Sequence, residues 1–172
     1  MLKRDFELNF KKLAQGEHQF SYHLDTEFFL ENGTNLVDGG EVNVLLTVDK
    51  ANTQLDLLFK IDGELFVTCD NCLSHLIYPI KGESRVYVKF GEKSDFTDDE
   101  ILYVHFDEYK LDLQEMLYDF ALLQLPMRKL CADSSNRETC EESTTNRMNE
   151  NTSNTEVHPE LEKLKRLIKK DK

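Results

Sequence analysis

Val42-Asn43-Val44-Leu45-Leu46-Thr47-Val48, followed by Leu55-Asp56-Leu57-Leu58-Phe59-Lys60-Ile61, is the stretch on which the fold turns. In both runs an apolar residue recurs at every second position: Val42, Val44, Leu46 and Val48, then Leu55, Leu57, Phe59 and Ile61. A strand sends alternate side chains to opposite faces, so period two marks half-buried strands of an antiparallel sheet. Asp62-Gly63 comes next, and an Asp-Gly pair suits the positive φ angles of a tight hairpin. The following run, Leu65 to Cys69, is therefore expected to return beside its predecessor.

Working outward, the same alternation occurs in Phe6, Leu8 and Phe10 and in Phe20, Tyr22 and Leu24, and further apolar runs lie at Leu76 to Ile80, Arg85 to Phe90 and Ile101 to Phe106. So many strands favour a sheet curled toward a barrel over a flat one. From Asp112 the period changes to helical, with Leu113, Met116, Leu117, Phe120 and Ala121 on one stripe, Asp112 and Glu115 resembling a capping box, and Pro126 stopping or kinking the helix. Residues 132–156 are Ser, Thr, Asn and Glu with hardly an apolar side chain, too little to offset the entropy of ordering them. Beyond them Leu161, Leu164, Leu167 and Ile168 define a second helical stripe with lysines opposite. The expected fold is α+β: an antiparallel, strongly curled or barrel-like sheet packed by one main helix, with a polar tail and a short C-terminal helix. The domains are 1–131, one strand-rich unit; 132–156, a flexible polar linker; and 157–172, a basic amphipathic helix.

Charge restricts the partners. Among 172 residues, 21 are basic and 33 acidic, a net −12. The final stretch, 158–172, holds six basic residues against three acidic ones, which makes it +3 and the rest −15. Such a body repels a phosphate backbone, so contact with RNA is assigned to Lys163, Lys165, Arg166, Lys169 and Lys170. The first residues lack the apolar run of a secretory leader and no segment has the length of a membrane span, so a cytoplasmic location without membrane contact is expected.

In that reducing compartment, Cys69, Cys72, Cys131 and Cys140 are thiols or metal ligands rather than a disulfide framework. Cys69-x-x-Cys72 has the spacing at which one turn of chain presents two sulfurs to one ion, and four thiolates would hold Zn²⁺ tetrahedrally. Cys131 and Cys140 are separated by eight residues, so a site using both must close a loop of chain around the metal. Four unligated thiols are the alternative. A dithiol redox protein using Cys69 and Cys72 is a rival, although their neighbours Asp70 and Asn71 supply no positive charge to lower a thiol pKa. His75 and His158 are the histidines placed to complete a cysteine site; His18, His23 and His105 fall within strands and have no expected chemical role. There is no nucleophile elbow, phosphate-binding glycine loop, His-Glu-x-x-His or dinucleotide fingerprint. No catalytic residue is assigned.

The Cys69-x-x-Cys72-Leu73 element at a strand end, the acidic stretch leading into Leu111-Asp112-Leu113-Gln114-Glu115-Met116, then Leu122-Leu123-Gln124-Leu125-Pro126 and Cys131, together resemble the YceD-like proteins. The similarity is clearest from Leu65 to Cys131; Leu13-Ala14-Gln15-Gly16 before Phe20 and the Pro159, Leu161, Leu164, Leu167 ending extend it. That family is linked to accumulation of large-subunit ribosomal RNA. The resemblance implies a non-enzymatic factor in ribosome assembly that binds a ribosomal protein or a large-subunit precursor. A zinc-stabilised adapter unrelated to ribosomes is the remaining alternative.

Overall fold

The computed structural model describes residues 6–32, 36–91, 95–98, 101–105, 107–137 and 139–140. The two runs that alternate most clearly become β3 (Gly39–Lys50) and β4 (Gln54–Thr68), paired antiparallel with Val44 opposite Ile61, Leu46 opposite Phe59 and Val48 opposite Leu57. All six of these side chains are buried, while Asn43, Leu45 and Lys60 between them face solvent. A slip of one residue would exchange the two faces, so burial of this row fixes the register.

The hairpin turn lies at residues 51–53, where the Ala51 amide donates to the Gln54 carbonyl at 3.0 Å. Asp62-Gly63 is therefore not a turn but the middle of β4, which continues to Thr68. Gly63 sits between Val42 of β3 and Ile80 of the next strand, and a Cβ there would lie 2.7 Å from the Val42 Cα and nearer still to the Glu41 carbonyl oxygen. The glycine serves close approach of two backbones, a use of glycine in strands that its sequence context does not separate from a turn. Likewise the runs at Leu76–Ile80 and Arg85–Phe90 form one strand, β5 (His75–Gly91), paired antiparallel with β4 from His75 opposite Thr68 to Lys89 opposite Gln54.

Five further strands complete the described β structure. β1 (Glu7–Leu8) pairs with β8 (Leu111–Asp112) in a separate two-stranded sheet, and between β1 and the next strand Phe10–Lys12 form a 3₁₀ turn. β2 (Gly16–Leu24), β6 (Asp95–Asp98) and β7 (Ile101–His105) join the main sheet, whose order is β2-β3-β4-β5-β7-β6. The expected antiparallel barrel is corrected here. β7 enters between β5 and β6 and runs parallel to β5, so the sheet is mixed, and β2 and β6 at its two ends do not pair. Closure requires the end strands to share a ladder. Here two helices cover the apolar face instead.

α2 (Gln114–Leu123) is the helix expected from its periodicity; the Asp112 carboxylate accepts the Gln114 amide at 2.9 Å, and Met116, Leu117, Tyr118 and Ala121 are buried. Phe120 meets Phe59 edge-on at 5.1 Å. α1 (Thr26–Asn32) is a second helix, so the single main helix of the expectation is also corrected. Its seven residues are too few to show a period, yet the Asp25 carboxylate caps it by accepting the Phe28 amide at 3.0 Å. It buries Phe28 and Phe29 beside α2, with Phe29 and Tyr118 rings 6.1 Å apart. Among the described residues no helix is long and apolar enough to cross a membrane.

Candidate metal centre

The β4–β5 connection is a knuckle at Cys69–Ser74. The Leu73 amide donates to the Cys69 carbonyl at 3.0 Å and the Cys69 amide to the Ser74 carbonyl at 2.9 Å. Leu73 takes the left-handed conformation with φ 61°, which turns the chain back into β5. Inside the turn, Cys69 and Cys72 are buried, and the Asn71 amide donates to the Cys69 sulfur at 3.4 Å.

A second segment is fastened to this knuckle through Asp70. The Asp70 amide donates to the Lys129 carbonyl at 2.9 Å, its carboxylate accepts the Lys129 amide at 2.6 Å, and the Lys129 ammonium lies 3.2 Å from the other carboxylate oxygen. The Lys129 amide, opposed by burial and helped by the Lys129 ammonium, holds the Asp70 carboxyl below its ordinary pKa. Two residues further on, the clamp delivers Cys131, whose buried sulfur is 3.4 Å from that of Cys72 and 3.5 Å from that of Cys69.

The near end of the segment read as linker then runs along β5. After a 3₁₀ turn at Cys131–Asp133, the Ser134 hydroxyl lies 2.7 Å from both the Cys131 and the Arg137 carbonyls. The Ser135 amide donates to the Ile77 carbonyl at 2.8 Å, and the Asn136 side-chain carbonyl accepts the Ile77 amide at 2.9 Å. These bonds return the chain so that Cys140 receives the Asn71 side-chain amide at 3.3 Å.

All four sulfurs consequently lie within 4.8 Å of one another. None is in a disulfide. Tetrahedral zinc with Zn–S bonds of about 2.3 Å places its sulfurs about 3.8 Å apart, so the cluster has the size and the donor set of a four-thiolate site. The electrostatics fit as well. Burial pushes the Cys69 thiol up, but amide hydrogen bonds from Cys72 and Asn71 outweigh it and hold the pKa below its ordinary value. Cys131 is driven far upward, first by burial and then by the neighbouring sulfurs. Cys69 is thus favoured as a thiolate, while Cys131 needs a cation beside it to become one. The four cysteines can hold a metal ion.

His75 is exposed and 3.4 Å from Asp38, outside the cluster. His158, residues 141–156, the helix expected over 157–172 and its Lys163, Lys165, Arg166, Lys169 and Lys170 lie outside the described residues. Asp70, Lys129, Ser134 and Asn136 assemble the site, and sequence reasoning does not single them out because each acts through a partner on another element.

A family model described as Large ribosomal RNA subunit accumulation protein YceD matches residues 57–168, a span containing all four cysteines. No curated protein and no solved structure matches the chain.

Proposed function

Because the chain belongs to the YceD family, we propose that it supports accumulation of large-subunit ribosomal RNA as a non-enzymatic assembly factor that binds a ribosomal protein or a large-subunit precursor. The observation that carries this reading is the family match across residues 57–168. Charge supplies the mode of action. A chain of net −12 attracts a basic ribosomal protein, with complementary potentials steering encounter and discrimination, whereas RNA contact falls to the basic segment 157–172.

Within this reading the four cysteines hold structural zinc, which would supply a cross-link between chain segments some 60 residues apart, Cys69 with Cys72 and Cys131 with Cys140. Asp70 aligns the second segment and Asn71 donates to two of the sulfurs. The burial of Cys69, Cys72 and Cys131 argues against a redox catalyst, whose attacking thiolate must be reached by a substrate disulfide.

A pull-down of the full chain from cells at modest salt tests the assembly role. Large-subunit precursors should accompany the protein, and recovery of metabolic enzymes alone would remove it. RNA affinity measured for the full chain and for one ending at Glu156 tests the division of labour, which requires the shorter chain to bind less.

A further inference from the structure

The two ends of the main sheet are built differently. β6 is four residues long, begins and ends in aspartate, and has a register shift between Phe96 and Asp98. Short length, charge and irregular pairing keep a sheet edge from recruiting another strand. β2 is neither short nor irregular, and its one acidic side chain is Glu17. It pairs with β3 through all nine residues, Gly16 to Leu24, without a shift, and contains no Lys, Arg or Pro. Among the described strands it is hydrogen-bonded to β3 alone.

We propose that β2 pairs antiparallel with β2 of a second copy of this chain, about a two-fold axis at Phe20, so that two six-stranded sheets become one. Symmetric association requires an edge complementary to itself, and β2 is. The axis sets Glu17 opposite His23 and Gln19 opposite Ser21 on the outer face, each pairing occurring twice, and His18 opposite Tyr22 and Phe20 opposite Phe20 on the inner face. Glu17 against His23 joins a carboxylate to an imidazole, and Gln19 against Ser21 joins an amide to a hydroxyl. All four of these side chains are exposed in the single chain. His23 is already oriented on that face, 3.0 Å from Glu41 and 3.1 Å from Asn43.

Neighbouring registers are poorer. An axis at Ser21 would oppose Glu17 to Asp25, a like-charge pair, and an axis at Gln19 would set His23 and Leu24 against residues outside the strand. The Phe20 register pairs all nine residues with no like charges opposed.

Sedimentation equilibrium of the full chain tests this, because one copy weighs 20.1 kDa and the pair twice that. The doubled mass is expected at high micromolar concentration. Gln19→Lys with Ser21→Lys opposes lysine to lysine twice and should weaken association about tenfold. Both positions are exposed, so the thermal melt should show an intact fold. Gln19→Glu with Ser21→Glu should weaken it similarly, and mixing the two variants should restore the doubled mass. A single-chain mass for the unmodified protein at every concentration would overturn the proposal. So would a doubled mass that survives the lysine pair, or a mixture that associates no better than its components.

Discussion

Gly63 and Leu73 occupy positions where backbone geometry and side chain are in tension, and they resolve it in opposite ways. Gly63 leaves room for β3, so Gly63→Ala should push Glu41 and Val42 away and cost on the order of 3 kcal/mol in a urea melt. Gly82 looks equivalent in β5, but the group in its way is the side-chain amide of Gln124, which can swing aside. Gly82→Ala should cost clearly less than Gly63→Ala, and equal losses would contradict the close-approach role of Gly63. Leu73 holds a left-handed conformation that disfavours a Cβ, while the residue is 69% exposed. Leu73→Gly should therefore stabilise the knuckle by about 1 kcal/mol, seen as a higher melting temperature. Neither reading follows from composition, because a glycine in sequence does not disclose whether it serves a turn or a close approach.

At the scale of elements, alternation and helical period are legible wherever the segment is long. β3, β4 and α2 follow from Val42–Val48, Leu55–Ile61 and Leu113–Ala121, since one-sided burial leaves its period in the sequence. α1 is not legible, because seven residues show less than two turns and Phe28-Phe29 reads equally as strand. The single strand β5 reads as two, since half-buried Gly82 and Ser84 on its inner face interrupt the apolar pattern where Gln124 lies against it. Packing makes a prediction about α2. Leu117 is buried at 1% exposure, so Leu117→Ala should cost roughly 3 kcal/mol in the same melt. A loss below about 1 kcal/mol would mean that the helix is not packed as described.

For the whole molecule, the four-cysteine cluster is one place where segments distant in the chain meet, so removal of a bound ion should be felt at the start of β5, where Ser135 and Asn136 are fastened to Ile77. Zinc at roughly a thousandfold excess over its Kd stabilises by about 4 kcal/mol, and chelation should lower the melting temperature accordingly. It should also raise hydrogen exchange at the Ile77 amide, whose acceptor is the Asn136 side chain, while core amides of β3 remain protected. Metal analysis should find one equivalent in the unmodified chain and none in Cys69→Ser; a metal-free native protein would remove the centre. By itself the sequence determined the strand-rich body, the main helix, the acid-base division and the four candidate ligands. Those features are local, and alternation, helical period, charge and residue type are each written within a few neighbouring positions. The open mixed sheet, the second helix and the meeting of Cys69, Cys72, Cys131 and Cys140 were decided only in three dimensions. Strand order and the Asp70–Lys129 clamp are contacts between distant segments, and no window of neighbouring residues contains both partners.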